Sequence, residues 1–294
     1  MDDLTLQLFF ESWELFKDPA VAAILLGGLL GMLGVYVVIK RMVFFSAALS
    51  QVAGLGVASS FWVKVVFGAS WLTSPYLGAA TTCLVAVGYI MTQRGQATAN
   101  RDSALGLIFL LGSAGTLAVG TRIVQEVQDI ESLLFGSAVA VLPEDFNMVV
   151  FTVVVLGVLH LWWHRGFVVV SVDADDADVR GLKATLLEWV LLLSLAAGIS
   201  VSTRVLGALP TFAFSVLPAM GALKIAPNVP RAMSIATLLG ATAGFGGYLA
   251  AFLYQLPVGA SQTIVAAILV VICSGIGLVI TKSKKINPSA QPAA

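Results

Sequence analysis

Long uninterrupted apolar runs alternate with short polar turns along this chain, and the runs set its architecture. Nine are readable: Ala20–Ile39, Phe44–Phe67, Tyr76–Met91, Ser103–Val119, Phe146–His164, Ala184–Thr203, Leu206–Leu223, Ala232–Tyr254 and Ala260–Thr281. Several reach the roughly 20 residues that a helix needs to cross the hydrocarbon core of a bilayer. They are continuously apolar rather than alternating in short strands, which predicts helices and not a barrel. The second run carries Ser46, Ser50, Gln51 and several glycines, and the seventh is short and broken by Pro210 and Pro218, so both are weak spans. Leu133–Val141 is too short to cross, is followed by Pro143, and reads as a half-helix dipping into the bilayer. The expected fold is an all-α polytopic transmembrane bundle of eight or nine spans with one short half-helix. Residues 1–19 read as an amphipathic N-terminal segment, 20–285 as the membrane domain and 286–294 as a disordered tail rich in Pro and Ala.

Composition strengthens this picture. Of 294 residues, 59% are apolar and only 11% charged, with a mean hydropathy of +0.96. A soluble domain carries about 25% charged residues; this chain has too few to coat a globule with water-compatible surface. The N-terminal stretch is acidic and lacks the basic region of a cleavable signal peptide, so the first span is expected to direct insertion. Cys83 and Cys273 both lie in apolar runs and read as buried free thiols. Formal net charge is zero, and nucleic acid is not an expected partner.

The distribution of charge carries more than its sum. With nine alternating spans and the N-terminus outside, twelve basic residues fall on the inner side: Lys40, Arg41, Arg94, Arg101, Arg165, Arg180, Lys183, Lys224, Arg231, Lys282, Lys284 and Lys285. Only Lys17, Lys64, Arg122 and Arg204 fall outside. Basic residues concentrate in cytoplasmic loops, so the bias predicts N-out, C-in.

Candidate chemistry is sparse. No G-x-x-x-x-G-K-[ST] loop occurs, so ATP hydrolysis by that mechanism is not expected of this chain, and no catalytic residue is assigned. No charged residue lies deep in a confident span, as a proton or sodium relay would require. Glu188 comes nearest, in the first turns of the sixth run, where the positive end of a helix favours a carboxylate. The longest inner loop, residues 165–183, holds Asp173, Asp175, Asp176 and Asp178, then Arg180 and Gly181. It reads as a short acidic helix stopped by Gly181, either merely solvated or a coupling surface for another protein. His160 and His164 stand four apart, which on a helix puts them on one face. They are weak metal-ligand candidates at a cytoplasmic exit, set against an aromatic and polar interfacial belt with Trp162, Trp163 and Arg165. Ser50, Ser215 and Met220 either line a path or pack spans, and the glycines around Gly27 and Gly244 read as close helix packing.

Six stretches, in order, resemble the permeases of the manganese/zinc/iron ABC importer family. They are Lys40 through Val57, Arg101 through Gly106, Leu134-Phe135-Gly136 through Asp145, Val172 through Leu182, Leu206 through Ala219, and Leu256 through Ala260. The resemblance implies a transport subunit for divalent metal ions that binds no cofactor itself and works with a cytoplasmic ABC ATPase carrying the ATP. It further implies an extracytoplasmic substrate-binding protein, a second permease copy or paired homologue, and a place in the bacterial inner membrane. The loop from Asp173 to Gly181 matches the family's ATPase-docking loop, and Gln51, Ala47, Ser50, Ser137 and Pro218 fall on its translocation path. One departure matters: where the family has Asp and His four residues apart, this chain has Ala47 and Gln51, so the carboxylate is gone and one neutral amide oxygen remains. A chelated metal or small organic cargo is therefore the alternative, with a secondary carrier of another class behind it.

Overall fold

The computed structural model describes residues 6–68, 74–93, 98–122 and 141–286, and within them the regular elements are α-helices. In chain order these are α1 (Leu6–Glu11), α2 (Trp13–Ile39), α3 (Val43–Phe67), α4 (Pro75–Thr92), α5 (Thr98–Gly120), α6 (Pro143–Trp162), α7 (His164–Val172), α8 (Ala174–Val179), α9 (Ala184–Leu206), α10 (Ala208–Ile225), α11 (Val229–Tyr254) and α12 (Val258–Ile286). Nine of them, α2 to α6 and α9 to α12, are long and apolar enough to cross a membrane. The expected all-helical bundle of eight or nine spans is found, with nine candidate spans among the described residues. The predicted half-helix, Leu133–Val141, lies outside the described residues except for its last position.

Several helix boundaries differ from those read in the sequence, among them those of the first and fifth spans. The first span begins at Trp13, well before Ala20, and runs through Pro19 as one helix. The fifth ends at Trp162; a bend at Trp163 starts the separate helix α7, so His164 is not on the same helix as His160.

The centre of the bundle is α2, which packs on α11, α10, α6 and α9. Leu26, Leu30, Leu33 and Tyr36 are fully buried there, with Phe45 and Leu49 of α3, Leu191 of α9 and Phe214 of α10 in the same core. Helices in lipid gain nothing from hiding apolar surface and associate by backbone proximity. The contact between α2 and α11 uses this: a Cβ on Gly27 would collide with the Gly240 carbonyl, and one on Gly240 with that of Gly27. At the periphery, Phe151, Val154, Val158 and Leu161 of α6 and Ile264, Ile268, Val271 and Ile272 of α12 are exposed. Such faces fit hydrocarbon, not water.

Short turns place the helix ends. Between α2 and α3, the amides of Arg41 and Met42 donate to the Val38 and Val37 carbonyls, both at 3.0 Å, with Arg41 in the left-handed region at φ 57°. A side chain there costs roughly 1–2 kcal/mol, and the reward is a turn tight enough to hold Lys40 at the mouth of the bundle. At α11, Asn228 caps the helix by accepting the Arg231 amide at 3.0 Å.

Candidate functional site

The stretch on α3 comes first. Ala47 and Ser50 are buried, and the Ser50 hydroxyl donates to the Ala47 carbonyl of its own helix at 2.9 Å. Gln51 is half-buried with its backbone against α5. A Cβ at Gly112 would stand 2.7 Å from the Gln51 carbonyl carbon and 3.0 Å from its Cβ. Pro218 is buried in α10 and faces Gly31 of α2, while Ser215 donates to Phe212 of its own helix at 2.8 Å. Thus Ala47, Ser50 and Gln51 lie within about one turn of α3, and Pro218 packs on α2. Ser137 lies outside the described residues. The hydroxyls of Ser46, Ser202, Thr203 and Thr211 are buried without a hydrogen-bond partner among the described residues. They belong to α3, α9 and α10, which pack on one another and bring these neutral hydroxyl oxygens into the interior.

At the start of α3 the bundle is tied by charge. Lys40 Nζ lies 3.0 Å from Glu188 Oε1, with both side chains nearly excluded from solvent, and Arg101 stands 4.0 Å from the same oxygen. Lys40 also donates to the Val170 carbonyl of α7 at 3.3 Å, and Arg101 to the Met42 sulfur at 2.9 Å. One carboxylate on α9 thereby joins the α2–α3 turn, the start of α5 and, through Lys40, α7. In the sequence Glu188 reads only as a helix-end carboxylate; its partners are distant in the chain and no local signal announces them.

The far end of α9 carries a second joint. Arg204 lies 3.6 Å from Asp145 Oδ2 at the start of α6 and over the Phe61 ring of α3, 5.5 Å from its centre. Tyr76 of α4 donates to Asp145 Oδ1. The signal that marks Asp145 in sequence is its position in the first turn after Pro143.

The histidines serve different ends. His160 is fully buried, with Nδ1 2.9 Å from the Leu156 carbonyl and Nε2 3.2 Å from Ser194 Oγ. A carbonyl only accepts, so Nδ1 carries the proton, and the remaining nitrogen faces Ser194. His164 is on α7, where its Nδ1 meets the Tyr36 hydroxyl at 3.4 Å. Burial first, then the neighbouring Arg165 charge, holds its imidazole below the ordinary histidine range. The shared helix face expected for this pair is absent because α6 stops at Trp162. Among the described residues, no group of three or more His, Cys, Asp or Glu is placed to hold a metal ion.

The acidic loop forms an elbow of α7 and α8. Asp173 Oδ1 accepts the Asp176 amide at 3.2 Å, Asp176 accepts from Arg180 at 2.8 Å, and Asp178 Oδ1 accepts the Ala184 amide at 3.1 Å. Gly181 ends the turn at φ 75°, with the Leu182 amide returning to the Ala177 carbonyl at 3.0 Å. Asp175 is on the same short helix. Arg180, Asp178 and Val179 are exposed, and the underside, Ala177, packs on Val170 and Ala184.

Residues 12–276 match the profile of the ABC 3 transport family. The manganese transport system membrane protein MntC of Listeria monocytogenes is 23% identical over 268 residues, covering 89% of this chain and 91% of its own. The high-affinity zinc uptake system membrane protein ZnuB of Haemophilus influenzae is 25% identical over 263 residues, covering 88% and 97%. Among solved structures, PsaBC from Streptococcus pneumoniae in complex with Fab superposes with a TM-score of 0.80 at 20% identity, covering 92% of this chain and 95% of that one. With the profile running through nearly the whole bundle, from the start of α2 into α12, the chain belongs to the ABC 3 transport family.

Proposed function

We propose that this chain is the membrane-spanning permease subunit of an ATP-driven importer for divalent transition-metal ions such as manganese, zinc or iron. The observation that carries the reading is the family match, which takes in the α3 stretch and the α7–α8 elbow within one continuous alignment. The relatives named for manganese transport and zinc uptake support the cargo class.

In this reading the basic-residue bias puts the N-terminus outside and the α7–α8 elbow in the cytoplasm. A separate ABC ATPase, where the ATP binds, docks on Asp173, Asp175, Asp176, Asp178, Arg180 and Gly181. An extracytoplasmic binding protein delivers the cargo, and a second permease copy or homologue completes the path in the cytoplasmic membrane. Force on the elbow has a physical route inward: α7 holds Lys40 through the Val170 carbonyl, and Lys40 sits at the turn from which α3 starts. That helix carries Ala47, Ser50 and Gln51, the proposed path residues, with Ser137 and Pro218 as the others.

A second reading keeps the machine and changes the cargo to a chelated metal or small organic solute. It is favoured by one observation, that Ala47 and Gln51 offer no charged ligand. Purifying the binding protein that works with this permease and identifying what it holds decides between the two. A bare ion supports the first reading, and a chelate or organic molecule the second.

A further inference from the structure

Three clefts meet where α6 bends into α7. The first, about 410 Å³, is lined by Trp162, Trp163, His164, Arg165, Leu182 and Leu187, with Gly166 in its wall. The second, about 500 Å³, runs up the exposed face of α6 along Val154, Val155 and Val158 and shares Trp162 and Trp163 with the first. The third, about 550 Å³, lies between α2, α6 and α11 along Met32, Met233 and Leu238, and shares Leu161 and His164 with the first. A chamber walled by leucine and tryptophan, with His164 and the cationic Arg165 as its polar side chains, thus opens into two apolar grooves.

We propose that this junction is a binding site for one phospholipid with an anionic headgroup, the headgroup at Arg165 and an acyl chain in each groove. Charge selects the occupant. Among the described residues, the exposed Arg165 pairs with no carboxylate and no Asp or Glu lines any of the three clefts. The Arg165 guanidinium is the fixed charge of the chamber, and it suits a phosphate by its planar fork of donors. Gly166 leaves the chamber open on the α9 side, since a Cβ there would press on Leu187 at 3.2 Å. Trp162 is 83% exposed and Leu161 74%, a cost in water and a fit to the headgroup boundary, where tryptophan concentrates. The grooves rise from that boundary along faces that are otherwise bare. The site adjoins the elbow, so its occupant touches α7 at the root of the proposed docking loop.

The claim does not depend on what the permease carries. The test is native mass spectrometry of the full chain, purified in mild detergent and offered equal phosphatidylglycerol and phosphatidylcholine. Phosphatidylglycerol is retained with a preference of roughly fivefold, the size expected of one basic side chain at an anionic surface. Arg165→Gln removes the preference, Arg165→Lys keeps most of it, and Val158→Trp, which fills the α6 groove, lowers retention of both lipids. Excess inorganic phosphate leaves the bound lipid in place, because a free anion has no chains for the grooves. Equal retention of the two lipids by the parent overturns the proposal, as does a preference that survives Arg165→Gln or displacement by inorganic phosphate. Loss of bound lipid when two copies of the chain or the ATPase assemble on it assigns the cleft to a protein partner and equally overturns it.

Discussion

The ammonium of Lys40 and the carboxylate of Glu188, 148 residues apart in the chain, meet at 3.0 Å with 9% and 6% of their side chains exposed. A buried pair of this kind adds little stability over a well-packed apolar pair, because desolvation offsets most of the attraction. Its consequence is positional: it fixes the start of α9 against the α2–α3 turn, with Arg101 as a second cation on the same oxygen.

Breaking that pair from one side therefore costs far more than removing it. Glu188→Gln leaves two cations near a neutral amide and should destabilise the chain by about 3–5 kcal/mol. Thermal unfolding in detergent reads this as a large drop in the midpoint. The double replacement Lys40→Met with Glu188→Met should recover most of the loss, and equal midpoints for the single and double variants would remove the pair from the account.

The joint at the far end of α9 should behave differently. Arg204 and Asp145 are more exposed, at 20% and 13%, and further apart at 3.6 Å. Asp145→Asn is expected to cost about 1 kcal/mol, nearer the range of surface pairs. A double-mutant cycle with Tyr76→Phe should show coupling, since both partners address the one carboxylate. Strict additivity would mean the three groups act independently.

Much of the bundle was legible in the chain because lipid demands continuous apolar length, and length is visible. The predicted start at Ala184 and end at Tyr254 coincide with helix boundaries. What was not legible depends on contacts between distant segments. Glu188 read as a helix-end carboxylate because Lys40 and Arg101 are remote in sequence. The bend at Trp163 has no proline or glycine at the break, so His160 and His164 looked like one face of one helix. The acidic elbow was visible through its aspartates and Gly181, the residue type that accepts a positive φ without strain.

Close approach of α2 and α11 makes a simple packing test. Gly240→Val places a branched side chain against the Gly27 carbonyl, and overpacking of this sort costs about 1–3 kcal/mol or more. Gly88→Ala, where an added Cβ meets nothing within 4 Å, should be near neutral. Expression and thermal midpoint in detergent compare the two, and equal effects would contradict the packing of these helices.

The path assignment rests on α3. Placing Asp at 47 and His at 51 restores a charge and a borderline-soft donor one helical turn apart. For a dication cargo this should change selectivity among manganese, zinc and iron, or slow release. For a chelated cargo it should impair transport without creating metal dependence. Uptake by reconstituted vesicles that matched the parent in every rate and ratio would make Gln51 a packing residue.

The coupling assignment is tested at the elbow. Asp173→Lys with Asp175→Lys reverses the charge of the proposed docking surface while leaving the spans untouched. ATP hydrolysis by the assembled complex should continue while uptake falls, or the ATPase should no longer co-purify. Unchanged co-purification together with unchanged uptake would put the ATPase elsewhere.

The most direct measurement is uptake of radiolabelled manganese or zinc into vesicles that hold this permease with its ATPase, the binding protein added outside. The account predicts accumulation that requires ATP, the binding protein and the permease together, and that stops when any one is left out. Accumulation without ATP, driven by an ion gradient across the vesicle membrane, would contradict it.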